Sequence, residues 1–125
     1  MRRFIVGLAL LLAACGTPAV GGSTDLTDGE ELFNAPVLGN RAGSITCHSL
    51  EPDVTLVGPS IAGIAGRAGD RVEAMDATTY LRQSIVEPNA YVVDGFDDDV
   101  MPGDYVLSLN DQQIEALVEY MEGLE

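Results

Sequence analysis

The supply of cysteine is the feature that most limits what this 125-residue chain can fold into. The chain has only two cysteines, Cys15 and Cys47. Small exported domains often depend on disulfides for stability, and here Cys15 is the only residue with which Cys47 could form one. What is expected of Cys47 therefore depends on how the segment that contains Cys15 is used.

The first 14 residues have the pattern of an export signal. A basic start, Met1-Arg2-Arg3, is followed by an apolar run over residues 4–12 that is too short to span a bilayer. The ending Leu12-Ala13-Ala14-Cys15 resembles the lipobox of bacterial lipoproteins, which implies cleavage after residue 14 and a lipid on Cys15. The alternative is an ordinary buried N-terminal helix with a chance cysteine.

The export interpretation divides the chain into three parts. Residues 1–14 are the signal peptide, residues 15–26 are the lipidated N-terminus with a flexible linker, and residues 27–125 form one domain. Cys47 then has no cysteine with which to pair. Because an unpaired thiol is a liability outside the cytoplasm, we expect Cys47 to have a chemical role.

The charge of the chain is strongly one-sided. From residue 15 onward, four arginines and no lysine stand against 20 acidic residues, a formal charge of −16. Nucleic-acid binding is excluded because so few cations cannot neutralise phosphates. The charge also opposes adsorption to anionic lipid, which favours a covalent lipid anchor, and it predicts a protein partner with a basic surface. Solubility alone is the plain alternative.

Three segments carry helix signals. Thr27 and Glu30 have capping-box spacing and predict a short helix that ends near residues 34–36. Thr78-Thr79 predicts the cap of a helix that ends before Pro88. Asn110 predicts the cap of the clearest helix, whose apolar stripe contains Ile114, Leu117, Val118 and Met121.

The remaining segments predict loops and no sheet. Residues 34–46 and 56–70 are rich in glycine, which weakens strands. The fold class is therefore all-α, with three or four short helices and glycine-rich loops. Such a core is thin for the length of the chain, and with no disulfide available we expect a large apolar cofactor to complete it.

The stretch Ser44-Ile45-Thr46-Cys47-His48 carries the clearest chemistry. A C-x-x-C-H motif attaches haem through two thiols and ligates its iron through the histidine, and here Ser44 stands at the first cysteine position. Cys47 and His48 could also be a structural thiol beside a surface imidazole. A zinc site would need more ligands, since His48 is the only histidine, and a Cys–His hydrolase seldom uses sequence neighbours.

Together with the blocks around this stretch, the chain resembles a class I c-type cytochrome over roughly residues 27–124, especially the single-haem domains of bacterial respiratory chains. Residues 29–33 resemble the N-terminal helix of that family, with Leu117 and Tyr120 at the positions that receive it. Residues 58–67 resemble the loop after the haem-binding motif. Residues 87–93 followed by 100–102 resemble the stretch that supplies the distal methionine.

The resemblance implies a small cytochrome c fold around one haem and assigns roles to several residues. His48 and Met101 would ligate the iron, and the carbonyl of Pro59 would accept a hydrogen bond from His48. Arg67 would contact a haem propionate, with an ordinary solvated arginine as the alternative. Tyr91 would hydrogen-bond near the sulfur of Met101, or simply pack as an aromatic residue.

Two other methionines are weaker ligand candidates. Met121 is predicted to be a core residue of the last helix, and Met75 lies in a charged stretch without a following proline. The serine at position 44 changes the expected attachment, because a hydroxyl does not add to a haem vinyl as a thiol does. We therefore expect haem c with a single thioether, through Cys47.

These assignments imply an electron carrier and not an enzyme, because both axial positions are filled. It would be anchored through Cys15 to the outer face of the bacterial cytoplasmic membrane. Its partner would be an oxidase, a reaction centre or a quinol-oxidising complex with a basic docking surface, towards which the acidic run at residues 97–99 would steer it.

Three alternatives stay open. The chain could be the haem subunit of a larger respiratory or photosynthetic complex. It could be a cytochrome-derived lipoprotein that has lost haem and serves as an interaction module, a reading that only Ser44 favours. Haem-based ligand sensing or peroxidase activity would require an open distal site.

Overall fold

The structure is a computed structural model that describes residues 26–125. The predicted signal peptide, the lipid on Cys15 and almost all of the predicted linker lie outside the described residues. The described part contains four α-helices: α1 (Gly29–Asn34), α2 (Ser44–Cys47), α3 (Ala77–Val86) and α4 (Asp111–Glu122). It also contains one antiparallel hairpin, β1 (Val37–Leu38) and β2 (Arg41–Ala42), and 3-10 helices at Ala68–Asp70, Pro88–Ala90 and Tyr105–Leu107.

The mostly helical character predicted from the sequence is confirmed, and the hairpin is an addition to it. Residues 34–46, predicted to be loop, contain the hairpin and the first three residues of α2. The hairpin turns at Gly39 and Asn40, and Gly39 has a φ of +62°, which glycine adopts without strain. The hydroxyl of Tyr105 donates a hydrogen bond of 2.6 Å to the carbonyl of Ala42 and ties the hairpin to a later loop.

Helix α1 begins one residue later than predicted. Asp28, and not Thr27, is the N-cap, and its carboxylate accepts a hydrogen bond of 3.0 Å from the backbone N–H of Glu31. Either residue has the chemistry of a cap. The cap at Asp28 makes Gly29 the first helical residue, and the helix ends at Asn34 as the sequence predicted.

Helix α1 crosses α4 at close range. A Cβ on Gly29 would lie 2.0 Å from the carbonyl oxygen of Ala116, so only glycine permits this approach. One turn further along α1, the ring of Phe33 lies 5.5 Å from that of Tyr120, centroid to centroid. The contact that the sequence predicted between the first helix and the last is therefore present.

The cap of α3 also differs from the prediction. Asp76, and not Thr78 or Thr79, is the N-cap, and it accepts a hydrogen bond of 2.8 Å from the backbone N–H of Thr79. This bond lowers the pKa of the Asp76 carboxyl below its ordinary value. The helix ends at Val86, two residues before Pro88, as predicted.

Helix α4 follows the sequence prediction most closely. Asn110 caps it, and a full capping box with Gln113 is present. Ile114, Leu117 and Val118 are buried and belong to the same core cluster as Leu32 and Phe33 of α1 and Leu38 of the hairpin. Arg82 on α3 forms ion pairs with Asp111 and Glu115 across the α3–α4 contact.

Over residues 26–125, no helix has the length and apolar character needed to cross a membrane.

Candidate cofactor-binding site

A cavity of about 440 Å³ lies within the described part of the chain, a volume typical of cofactor sites, which run from about 300 to 1,000 Å³. Its wall is predominantly apolar. All six residues that the sequence singled out for cofactor binding line it: Cys47, His48, Pro59, Arg67, Tyr91 and Met101. Residues far apart in sequence are thus brought to one cavity.

Helix α2 presents the attachment stretch to this cavity. Ser44 and Cys47 are three residues apart, which places them on the same side of a helix, and both line the cavity. Cys47 is half-buried with a free thiol. His48 follows as the C-cap in extended conformation, and its backbone N–H donates to the carbonyl of Ser44 at 2.9 Å.

The imidazole of His48 is fixed by the loop at residues 58–59. Its Nδ1 lies 2.8 Å from the carbonyl oxygen of Pro59. A carbonyl can only accept, so Nδ1 carries the proton, and the lone pair of the neutral ring lies on Nε2. Gly58 packs directly against the ring, because a Cβ there would lie 2.5 Å from Cε1 of His48.

Burial lowers the pKa of His48, and the hydrogen bond to Pro59 opposes this to a smaller extent. The neutral ring is therefore favoured. Neutral imidazole is the form that binds metals, and a hydrogen bond from the other ring nitrogen to a carbonyl is the usual arrangement of a histidine ligand. The hydrogen bond that the sequence predicted for His48 and Pro59 is present.

Arg67 has a different environment from the one expected of it. Its two terminal nitrogens donate to the backbone carbonyls of Ala62, at 2.5 Å, and Ser60, at 2.8 Å. These bonds close the loop between residues 60 and 67. Arg67 is therefore held by hydrogen bonds to its own loop and is not a freely solvated arginine.

Arg71 is a cavity residue that the sequence interpretation missed. It lies one residue after the 3-10 helix Ala68–Asp70, and its Nε is buried with no hydrogen-bond partner among the described residues. The spacing of four from Arg67, in a chain with so few cations, was the only signal in the sequence.

Met101 lines the cavity half-buried, and Met121 also lines it. The prediction that Met121 is a core residue was incomplete, because its side chain packs against the core and also faces the cavity. Tyr91 packs edge-on to Tyr80 with ring centroids 5.8 Å apart. Within residues 26–125, its hydroxyl forms no hydrogen bond with Met101, so the geometry matches the packing interpretation.

Within the described residues, no group of three or more His, Cys, Asp or Glu side chains could hold a metal ion. The soft ligand atoms and the imidazole on the cavity wall belong to Cys47, Met101, Met121 and His48. No family model matches this chain, and a search of curated proteins found no match.

Proposed function

We propose that this protein is a single-electron carrier that would hold one haem covalently through Cys47, with His48 and Met101 as the residues that would ligate its iron. The observation that carries the proposal is that the Cys47-His48 pair and Met101 line the same apolar cavity. When bound, haem supplies an iron that exchanges one electron, and the protein sets its potential and its exposure.

The residues at the cavity fit such a group in three respects. Cys47 offers a free, half-buried thiol next to a histidine whose Nδ1 is held by Pro59, which leaves Nε2 as the ligand atom. Gly58 leaves room for the ring of His48 to pack directly against the backbone. The Nε of Arg71 is buried and has no hydrogen-bond partner within residues 26–125, so an anionic group in the cavity would be well placed to bind it.

Met101 is the preferred second ligand because a thioether is soft and raises the potential relative to a second histidine. Met121 lines the same cavity, but it is fixed within α4, where it packs against the core. With His48 and Met101 both engaged, no position is open for substrate. The proposed role is therefore carrier and not enzyme.

The edge of the cavity supports docking to a basic partner. Val57 and Val100 line the cavity and are also 56% and 48% exposed, so an apolar rim meets solvent there. Asp97 lines the cavity and is exposed, and Asp98 is exposed next to it. A partner with an apolar contact area ringed by basic residues fits this edge. An oxidase, a reaction centre or a quinol-oxidising complex would be such a partner.

The lipid anchor completes the proposal. A lipid on Cys15 would hold the carrier at the outer face of the bacterial cytoplasmic membrane, where its acidic charge keeps the domain off anionic lipid and free to meet partners. A haem subunit of a larger respiratory or photosynthetic complex would use the same site. The alternative from a different class of function is a protein-interaction module that carries no haem.

The experiment that tests the function is the absorption spectrum of the reduced, exported protein with and without carbon monoxide. We expect haem bands that carbon monoxide leaves unchanged in the wild type and in Met121→Ala, and carbon monoxide binding in Met101→Ala. Absence of haem bands would favour the interaction module. Carbon monoxide binding by the wild type would favour ligand sensing or peroxidase chemistry.

A further inference from the structure

The arginines of the described chain fall into two pairs. Arg41 and Arg82 lie at the surface and form ion pairs with carboxylates, Arg41 with Asp104 at 2.6 Å. Arg67 and Arg71 form no ion pair with any residue between 26 and 125, and both line the cavity. In a chain with 20 acidic residues, the two arginines without a carboxylate are thus the two at the proposed cofactor site.

The two cavity arginines differ in how their donors are used. Both terminal nitrogens of Arg67 are bonded to backbone carbonyls, so this side chain is held by its own loop. The side chain of Arg71 has no hydrogen bond to the rest of the described chain, and its Nε is buried. A buried donor without a partner destabilises the folded protein, and more so when the group is charged.

In folded proteins such a donor is usually bonded to an ordered water or to a ligand. The acidic side chain on the cavity wall is Asp97, and it is exposed and not bonded to Arg71. An anion that enters the cavity would satisfy both the charge of Arg71 and its buried N–H, for which residues 26–125 supply no partner. A guanidinium matches a carboxylate best, because its parallel N–H groups meet both oxygens.

We propose that Arg71 is the residue that binds a carboxylate of the group in the cavity, and that Arg67 is a positioning residue which holds the loop of residues 60–67. The inference rests on the proposed function, in which the carboxylate is a haem propionate. It reverses the role that the sequence resemblance implied for Arg67.

The test compares the haem-loaded, full-length wild type with Arg71→Gln, Arg71→Lys, Arg67→Gln and Arg82→Gln, all at one pH. Two quantities are measured for each: the midpoint potential by spectroelectrochemical titration, and the midpoint of urea denaturation. Arg82→Gln is the matched control, since it removes the same charge at an ion pair away from the cavity.

Loss of the Arg71 charge should favour the oxidised, more positive iron. In Arg71→Gln we expect the oxidised-to-reduced ratio at a fixed applied potential to rise by at least about threefold, because charges in a low-dielectric cavity are weakly screened. Arg71→Lys should keep most of the wild-type potential. Arg67→Gln should mainly lower the urea midpoint, because its loop loses two hydrogen bonds.

The inference is overturned if Arg71→Gln has the same potential as Arg82→Gln, or if Arg67→Gln shifts the potential more than Arg71→Gln does. If Arg71→Gln does not fold, Arg71→Lys and Arg67→Gln decide together. A potential of Arg71→Lys near that of the wild type, with a potential of Arg67→Gln no further from it than that of Arg82→Gln, supports the charge contact of Arg71. A larger shift of the potential in Arg67→Gln than in Arg71→Lys and Arg82→Gln contradicts it. A wild type that carries no haem would instead refute the proposed function, and this inference with it.

Discussion

The backbone N–H of Asp99 donates a hydrogen bond of 2.9 Å to Oδ1 of Asn89, and Nδ2 of Asn89 donates one of 2.5 Å to Oδ1 of Asp99. Asn89 belongs to the 3-10 helix after α3, and Asp99 stands two residues before Met101. Asp99 also has a φ of +58°, a conformation that costs a non-glycine residue free energy. The pair therefore holds the approach to Met101 in a defined position.

Removal of this pair should loosen Met101. In Asn89→Ala and in Asp99→Ala, we expect the reduced haem-loaded protein to bind carbon monoxide faster than the wild type, because the loop that carries Met101 opens more often. Asp98→Ala is the matched control: it removes the same charge one residue away, from a side chain that has no hydrogen bond to any residue between 26 and 125. Equal rates in Asp98→Ala and Asp99→Ala would show that charge, and not the hydrogen-bonded pair, determines access.

The close crossing of α1 and α4 predicts that a methyl group added at Gly29 strongly destabilises the fold. Gly29→Ala would place a Cβ 2.0 Å from the carbonyl oxygen of Ala116, so the helices must separate. We expect the free energy of unfolding to fall by about 1–3 kcal/mol or more, as overpacking usually costs. Urea denaturation measures this. Gly103→Ala is the control, since a Cβ at Gly103 has no neighbour within 4 Å, and a comparable loss there would contradict the close-approach explanation.

The position of Ser44 predicts that a cysteine there would form a second covalent bond to haem. Because Ser44 and Cys47 line the same cavity three residues apart, Ser44→Cys should form a second thioether and shift the pyridine spectrum of the reduced haem towards that of two-thioether haem c. Thr46→Cys should not, because its exposed side chain is not part of the cavity wall. A second thioether in Thr46→Cys, or none in Ser44→Cys, would argue against the orientation of α2 towards haem.

The acidic rim predicts selectivity by charge. Asp97, Asp98 and Asp99 are all exposed, so the steering is still expected of all three, but a change at Asp99 would also break its hydrogen bonds with Asn89, and the test therefore changes only the first two. Asp97→Asn/Asp98→Asn should slow electron exchange with the cationic complex hexaammineruthenium and speed exchange with anionic ferricyanide, most at low salt. Stopped-flow rates that do not change with either complex would show that electrons enter elsewhere.

The sequence predicted best those features of the fold that depend on residues close together in the chain. The cap and apolar stripe of α4 lie within one helical segment, and the end of α3 follows from Pro88, so both were found. The starts of α1 and α3 were displaced because neighbouring residues, Thr27 and Asp28 or Asp76 and Thr78, offer equivalent capping chemistry. Strands of two residues are too short to show a period of two, and so the hairpin was missed.

For the candidate site, too, some residues could be predicted from the sequence and others could not. The sequence resemblance pointed to His48, Pro59 and Met101, and the structure brings all three to one cavity. The difference between Arg67 and Arg71 could not be predicted, because it depends on which carbonyls the folded loop offers to each guanidinium. Likewise, the apolar stripe of α4 predicted that Met121 faces inward, but not that the core on that side opens into a cavity.

The most direct test of the account is the intact mass of the exported wild-type protein, together with its reduced spectrum in alkaline pyridine. We predict a polypeptide whose mass is raised by one haem through a bond that survives denaturation, with a spectrum intermediate between free haem and two-thioether haem c. The added mass should disappear in Cys47→Ser. A wild-type mass that equals the processed polypeptide with or without lipid, and a spectrum without haem bands, would contradict the account.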